Sequence, residues 1–206
     1  MSDLLVHVVD DDASFRTALT RLLVAAGHSV KSYGAAAELL AALPLDGGCI
    51  VLDVEMPGGS GPELQAELNR SASLLPIIFL TGSQDIGTSV RTMKAGAEDF
   101  LCKPVEASAL LAAIETAFAR YRSASASSDS RQRRQALLDR LSSREREVFD
   151  LVVTGLLNKQ IADRLGLTER TVKAHRAAIV DKLGMRSVAE MVLLASELGL
   201  LAELRV

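Results

Sequence analysis

The chain contains no tryptophan, and two tyrosines and five phenylalanines are the aromatic residues among its 206. Aliphatic side chains must therefore build the interior, which is feasible because 49% of the residues are hydrophobic. Long apolar runs are also missing, since stretches such as residues 4–9 and 76–80 have strand length and fall far short of a membrane span. The first ten residues lack the basic start and the apolar stretch of a signal peptide. These absences predict a soluble cytoplasmic protein with no membrane partner.

Cysteine is equally scarce, with two residues in the chain. Cys49 and Cys102 lie in apolar sequence and lack the C-x-x-C spacing of redox or zinc sites. Two buried free thiols are predicted, in preference to a disulfide or a metal site.

Charge is distributed unevenly along a chain whose net charge is −3. Residues 1–130 hold 9 Lys and Arg against 16 Asp and Glu, whereas residues 131–206 hold 14 against 10. An acidic front and a basic back indicate two domains with different partners. Between them, residues 120–135 are rich in Ser and Ala and then basic, so this segment either extends the preceding helix or stays flexible.

The front half repeats one pattern five times, in which a short apolar run is followed by turn residues and a segment with helical spacing. The predicted strands cover residues 4–9, 29–32, 49–52, 77–80 and 100–102. The first helix places Phe15, Leu19, Leu22 and Leu23 on one stripe and stops at Gly27. Apolar strands that alternate with amphipathic helices predict an α/β doubly wound parallel sheet covered on both faces.

Chemically active side chains follow the strands of this predicted sheet. Asp10, Asp11 and Asp53 come after the first and third strands, Thr81 follows the fourth, and Lys103 follows the fifth. Ligands of such sheets bind outside the carboxyl ends of the strands. Clustered carboxylates suit Mg²⁺ or Mn²⁺, and a bound cation keeps them ionised and together. The set predicts a phosphoryl-transfer site in which one carboxylate attacks phosphorus.

Asp12, the third acid of the first cluster, starts the next helix and is predicted to cap its free N–H groups.

The front half as a whole resembles the receiver domain of two-component response regulators in four motifs, which are VVDDD, LDVEMPGGSG, IIFLTG and AGAEDFLCKP. The resemblance implies a flavodoxin-like five-stranded sheet of order 2-1-3-4-5 over residues 1–122. It also implies that a sensor histidine kinase phosphorylates Asp53.

Further roles follow from the same resemblance. Asp10, Asp11, Asp53 and the backbone carbonyl of Glu55 would hold the metal, Thr81 and Lys103 would contact the phosphoryl group, and the Lys103–Pro104 bond would be cis. Phe100 stands where the family places an aromatic that rotates with Thr81, although a strand Phe is equally well explained as core. Glu55 is an unusual acid at its position, and we expect its charge to affect the lifetime of the phosphoryl group.

The back half divides into four predicted helices. Ser142 or Ser143 caps the first, which ends near Gly155; Asn158 caps the second, Thr168 the third and Ser187 the fourth. The sequence LGLT between the second and third is a tight turn of the helix-turn-helix kind. On the third helix, Val172, Ile179 and Leu183 form the core stripe, so that the basic and alanine positions face away.

This segment resembles the LuxR-type DNA-binding domain in LSSRERE, NKQIA and TERTVKAHR. The resemblance implies that Lys173, Ala174 and Ala177 face bases, while Thr168, Arg170, Thr171 and Arg176 lie nearer the DNA backbone. His175 is expected to pack or to contact phosphate. The apolar stripe of the fourth helix (Val188, Met191, Val192, Leu194, Ala195, Leu198) exceeds what a small bundle usually buries, and in the family this helix pairs with its twin.

The two resemblances together identify the chain as a member of the FixJ/NarL class, with a receiver (1–122), a linker (123–137) and a DNA-binding domain (138–206). The class implies a transcription regulator, not an enzyme beyond its own phosphorylation and dephosphorylation. Its implied partners are a sensor histidine kinase, promoter DNA, a second copy after phosphorylation and RNA polymerase. Two alternatives stay open: a metal-dependent phosphatase, and a binding module whose receiver serves as a scaffold without phosphorylation.

Overall fold

The computed structural model describes residues 4–57, 59–82 and 86–204, which form two compact units divided between residues 125 and 126. The outer ends of the two predicted domains, residues 1–3 and 205–206, lie outside the described residues. Within the described ranges, no helix combines the length and the apolar character needed to cross a bilayer.

A parallel sheet forms the centre of the first unit. Its strands are β1 (Leu5–Val9), β2 (Ser29–Tyr33), β3 (Gly48–Asp53), β4 (Ile77–Thr81) and β5 (Asp99–Cys102). They pair in the order β2-β1-β3-β4-β5, all parallel, which confirms the predicted topology. Each strand begins and ends within one residue of its predicted bounds. Four of the five are short apolar runs bounded by turn residues, whereas β2 reads SVKSY and is mostly polar.

Helices cover both faces of this sheet. They are α1 (Ala13–Ala25), α2 (Ala36–Ala41), α3 (Gly61–Arg70), α4 (Ile86–Lys94) and α5 (Ala107–Leu138). Asp12 caps α1 as predicted, since its carboxylate accepts the N–H groups of Ser14 and Phe15. The helix α5 runs through residues 123–137, the segment whose composition is compatible with either a helix or a flexible linker.

Each sheet face has its own apolar core. Leu19 and Leu23 of α1 pack with Leu110 and Ile114 of α5 against one face. The other face packs on residues such as Leu64 of α3. The predicted stripe of α1 therefore faces the core of the first unit.

The two cysteines are both free, as predicted, but they differ in exposure. Cys49 of β3 is fully buried, and burial raises the pKa of its thiol to about 12. The prediction that Cys102 is buried is wrong, because Cys102 is exposed. It is the last residue of β5, which is an edge strand, so neighbours on one side are missing.

Helices make up the second unit. They are α6 (Ser143–Val153), α7 (Asn158–Leu165), α8 (Glu169–Leu183), α9 (Val188–Glu197) and the short α10 (Leu200–Glu203). The first four match the predicted helices. The described part of the chain adds α10, which follows the left-handed Gly199 because Leu200, Leu201 and Leu204 pack on the core of this unit.

The predicted capping residues of the second unit cap their helices, with one exception. Ser142, Thr168 and Ser187 each accept the N–H of the residue three positions on. The prediction that Asn158 caps α7 is wrong, because the helix begins at Asn158 and the side chain of Gln160 accepts the N–H of Leu157 instead. The Asn158 amide is used elsewhere, since it accepts a hydrogen bond from Arg176.

Candidate functional site

The carboxyl edge of the sheet gathers the predicted site residues of the first unit. Asp53 and Thr81 are the last residues of β3 and β4, while Asp10 and Lys103 directly follow β1 and β5. Because the strands are parallel, all four residues emerge at the same edge. Asp10, Asp53 and Thr81 are buried there, and Asp11 is exposed at the rim.

Three carboxylates form a compact cluster at this edge. One oxygen from each of Asp10, Asp11 and Asp53 lies within 4.8 Å of the other two. Asp10 Oδ1 accepts the backbone N–H of Asp12 at 2.9 Å. Hard oxygen donors at such separations fit a divalent cation such as Mg²⁺. The donor type and the spacing of these oxygens therefore fit the predicted metal site.

Lys103 joins the two buried acids. Its ammonium lies 2.7 Å from Asp10 Oδ2 and 3.2 Å from Asp53 Oδ2. Burial lowers the pKa of Lys103, but the hydrogen bond to Asp10 and the charge of Asp53 outweigh burial and raise this pKa above its ordinary value. The lysine is therefore a fixed positive charge beside the candidate phosphoacceptor.

Several neighbours shift the pKa of Asp53. Burial raises the pKa of Asp53, the ammonium of Lys103 opposes that rise, and the like charge of Asp10 adds to it, so that the pKa lies above the ordinary aspartate value. The backbone N–H of Glu55 also donates to Asp53 and favours its ionised form. A desolvated carboxylate with a cation beside it is suited to act as a nucleophile.

Thr81 and Phe100 border a cavity next to the acids. The cavity has a volume of about 800 Å³, and its lining includes Asp11, Glu55, Thr81, Arg91 and Phe100. Thr81 is buried, and its carbonyl accepts the N–H of Lys103 at 2.6 Å. Phe100 is half-buried and packs 6.3 Å from Phe79, measured between ring centroids. Its location is compatible with both predicted roles, core and switch, and the switch role stays a prediction.

The peptide bond between Lys103 and Pro104 is cis, as the family resemblance predicts.

Two neighbours of the site were not singled out as functional by sequence reasoning. The Lys103 ammonium lies 4.1 Å from the ring centroid of Phe15, which the helical pattern assigned to the core alone. Arg16 donates to the carbonyl of Asp10 at 2.5 Å. Both residues belong to the turn of α1 that follows the acidic cluster, and this proximity in sequence was the available signal.

The second unit presents α8 as the candidate nucleic-acid interface. Val172, Ile179 and Leu183 are buried, as the core stripe predicts. The residues predicted to contact DNA differ in exposure. The exposed ones are Thr168, Arg170, Lys173, Ala174 and Ala177, and the half-buried ones are Thr171, His175 and Arg176. One face of α8 therefore exposes small and basic side chains to solvent. The DNA contacts of individual residues stay a prediction.

The turn between α7 and α8 has the geometry that the sequence LGLT indicates. Gly166 ends α7 with φ 64° and ψ 37°, a left-handed conformation that favours glycine. Thr168 then begins α8 by accepting the N–H of Thr171 at 3.2 Å. The pair of helices is therefore a capped helix-turn-helix.

The apolar stripe of α9 is largely used within the second unit. Met191, Leu194, Ala195 and Leu198 are buried in its core, whereas Val188 is 39% exposed. The expectation of a large unburied stripe is therefore wrong for most of its members, because α6 and the segment around α10 cover them. Leu193, which lies outside the predicted stripe, is 58% exposed.

Comparisons with known proteins match both units. The response regulator receiver domain family matches residues 6–115, and the family of bacterial regulatory proteins of the luxR type matches residues 139–195. Nodulation protein W of Bradyrhizobium diazoefficiens is 43% identical over 96% of this chain and 88% of its own length. The transcriptional regulatory protein FixJ of Azorhizobium caulinodans is 42% identical over 92% of this chain and 90% of its own.

Solved structures lead to the same family. The response regulator StyR is 43% identical and superposes with a TM-score of 0.81 over 95% of this chain and 100% of StyR. Full-length FixJ from B. japonicum is 39% identical and gives a TM-score of 0.59 over 97% of this chain and 98% of FixJ. The chain therefore belongs to the FixJ/NarL class of two-component response regulators, transcriptional regulators that join a receiver domain to a LuxR-type helix-turn-helix domain.

Proposed function

We propose that a sensor histidine kinase phosphorylates Asp53, that the modified receivers dimerise, and that the paired helix-turn-helix domains then bind a two-fold promoter site in the cytoplasm. The position of Asp53 carries this proposal. Its carboxylate lies 3.2 Å from the Lys103 ammonium and within 4.8 Å of oxygens from Asp10 and Asp11. This arrangement combines one nucleophile, one fixed cation and two metal-binding carboxylates at the end of a parallel sheet.

The transfer step follows from these groups. A carboxylate oxygen of Asp53 attacks phosphorus, and the bond between phosphorus and the histidine nitrogen of the kinase breaks. The imidazole leaves with the electron pair and takes up a proton, so that an acyl phosphate remains on Asp53. The Thr81 hydroxyl and the Lys103 ammonium would each bond one phosphoryl oxygen. Later attack of water on phosphorus returns the carboxylate and inorganic phosphate.

Asp10, Asp11, Asp53 and the carbonyl of Glu55 would hold Mg²⁺ or Mn²⁺. When bound, the ion supplies positive charge that neutralises the phosphoryl oxygens and the clustered acids. The distances among the carboxylates support this assignment.

The DNA-binding step would use the exposed face of α8. Lys173, Ala174 and Ala177 would meet base edges, because small side chains permit close approach and lysine reaches guanine acceptors. Thr168, Arg170, Thr171 and Arg176 would contact the DNA backbone, with His175 packing or contacting phosphate beside them. A promoter-bound dimer then has RNA polymerase as its natural partner.

The test uses the full-length protein, acetyl phosphate and Mg²⁺. The protein should take up about one phosphoryl group per chain from acetyl phosphate, with release of acetate, since one carboxylate is modified. Footprinting should reveal two half-sites, occupied more strongly after phosphorylation, with affinity that falls steeply with salt. Asp53→Asn should abolish phosphoryl uptake and the response of DNA binding to the donor.

Three outcomes would contradict the proposal. Phosphate release of many equivalents that continues unchanged in Asp53→Asn would indicate a phosphatase that acts on external substrates without phosphorylation of Asp53. Equal DNA affinity of the wild type and Asp53→Asn, with and without donor, would indicate a receiver that serves as a scaffold. Equal affinity for target and scrambled DNA would contradict the base-reading role of α8.

A further inference from the structure

The ammonium of Lys103 has neighbours of two chemical kinds. Carboxylate oxygens of Asp10 and Asp53 lie 2.7 Å and 3.2 Å from Nζ. The ring of Phe15 lies against the same ammonium, with its centroid 4.1 Å from Nζ. The lysine side chain is 20% exposed, so protein atoms cover most of it.

The position of Phe15 is set by the start of α1. The Asp12 carboxylate that caps this helix accepts the N–H of Phe15 at 3.2 Å. The Phe15 side chain is half-buried and packs on the core cluster that contains Leu19 and Leu23. Cap and core together therefore hold one face of the ring against the lysine, only a few residues beyond the acids.

We propose that Phe15 is a positioning residue for Lys103, and that its ring keeps the ammonium beside the phosphoacceptor while the carboxylate partners of the lysine change. The inference rests on the proposed function, because those partners change only if Asp53 is phosphorylated.

The contact with the Phe15 ring matters because both carboxylate partners of Lys103 change when Asp53 is phosphorylated. Phosphorylation of Asp53 replaces a carboxylate oxygen by an anhydride oxygen of lower charge, and Asp10 is a predicted metal ligand. Both ion pairs of Lys103 are thus altered during the cycle, whereas the phenyl ring neither titrates nor reacts. A cation within about 6 Å of an aromatic centroid is attracted by the negative charge density of the ring face. That attraction restricts a flexible four-carbon side chain without competing for the incoming phosphoryl group.

The experiment compares full-length variants at Phe15. Phe15→Leu and Phe15→Met keep an apolar side chain of similar bulk and remove the ring, whereas Phe15→Tyr keeps it. Leu22→Ala is the matched control, because Leu22 lies on the same helix and packs on the same core cluster. Thermal unfolding identifies any variant that has lost the fold.

Two measurements are made on each variant. NMR of the Lys103 side chain, assigned with Lys103→Arg, reports the upfield ring-current shift of its ε-methylene protons. The rate of phosphorylation by acetyl phosphate in Mg²⁺ reports function. Phe15→Leu and Phe15→Met should lose the shift and react roughly fivefold to tenfold more slowly, as expected for the loss of one cation–π contact. Phe15→Tyr and Leu22→Ala should keep the shift and the wild-type rate within about twofold.

The outcomes separate this inference from the proposed function. A wild-type protein that takes up no phosphate would overturn the proposed function. A wild type that is phosphorylated, together with folded Phe15→Leu and Phe15→Met variants that react at the wild-type rate, would overturn the role of Phe15 alone. A folded Leu22→Ala that slows as much as Phe15→Leu would assign the effect to packing of α1.

Discussion

Arg176 of α8 donates a hydrogen bond of 2.8 Å to the side-chain oxygen of Asn158, the first residue of α7. The contact joins the two helices of the helix-turn-helix outside their shared apolar core. It also orients the guanidinium of Arg176, a half-buried residue that is predicted to contact the DNA backbone.

Arg176→Ala should weaken DNA binding without changing base preference. A phosphate contact contributes about equally on any sequence, so affinity for target and scrambled duplexes should fall together, by about tenfold. The slope of log affinity against log salt should decrease in magnitude by about one. Fluorescence anisotropy at several salt concentrations measures both quantities. Arg186→Ala, outside both helices, is the control, and an effect confined to the target duplex would contradict the assignment.

Gly61→Ala should damage the phosphoacceptor site through the backbone. A Cβ at Gly61 would lie 2.6 Å from the carbonyl oxygen of Asp53 and 2.8 Å from Phe79, closer than real contacts allow. We expect a loss of about 2 kcal/mol of unfolding free energy, typical of overpacking, and slower phosphorylation. Gly59→Ala is the control, because its Cβ would meet its nearest atom, in Ala36, at 3.9 Å. Equal stability of the two variants in urea unfolding would refute the steric argument.

His7 should make the receiver less stable in mild acid. It is fully buried in β1, where Nε2 contacts the carbonyl of Asp46 at 3.0 Å and Nδ1 contacts the Tyr33 hydroxyl at 3.1 Å. Burial lowers the pKa of His7, and although the hydrogen bond to Asp46 opposes this, the pKa stays below its ordinary value. The folded state therefore binds fewer protons than the unfolded chain below a pH of about 6.5.

Unfolding free energy should consequently fall as the pH drops below about 6.5 and continue to fall until the lower pKa of the folded state is passed. Urea unfolding at pH 7.5 and 5.5 measures the change. His7→Gln should reduce the pH dependence, and His28→Gln, also in the receiver, should retain it. A wild-type stability that is flat across this range would show that His7 titrates normally.

Glu145 should stabilise the second unit above pH 4.5 and lose that effect in stronger acid. Its carboxylate accepts hydrogen bonds from Lys182 Nζ at 2.6 Å and from the N–H of Ser142 at 2.7 Å. The bond to Lys182 is the larger cause, and the two lower the pKa of Glu145 to about 2. Because the pKa is depressed on folding, stability falls as the pH drops from about 4.5 toward 2.

Hydrogen exchange of α6 and α8 amides between pH 6 and pH 3 tests this expectation. Protection should decrease with acid in the wild type and change much less in Glu145→Gln. Glu147→Gln removes a more exposed carboxylate on the same helix and should behave like the wild type. Identical pH profiles for the wild type and Glu145→Gln would disprove the role of the ion pair.

Thiol labelling should distinguish the two cysteines. Cys102 is exposed, whereas Cys49 is fully buried with a pKa of about 12, and the thiolate is the reactive form. A thiol reagent should label Cys102 rapidly in the folded protein and Cys49 only after denaturation. Cys102→Ser should therefore abolish labelling of the native state, and rapid labelling of that variant would contradict the burial of Cys49.

The sequence by itself determined the elements of this protein and the chemistry at their ends. Apolar runs located four of the five strands, and Asp12, Ser142, Thr168 and Ser187 located helix starts, because strand burial and N-capping depend on residues close together in the chain. The motifs also sufficed to place Asp10, Asp53, Thr81 and Lys103 at one edge, since parallel topology brings the carboxyl ends of strands together.

Tertiary structure decided which side chains meet. The ring of Phe15 against Lys103, the use of Asn158 by Arg176 and the exposure of Cys102 at a sheet edge all involve neighbours distant in sequence. Local patterns assigned these three residues to a core stripe, a cap and a buried thiol, and each assignment was reasonable from its own segment. A side chain's partner depends on the packing of separate elements, and no periodicity within one element carries that information.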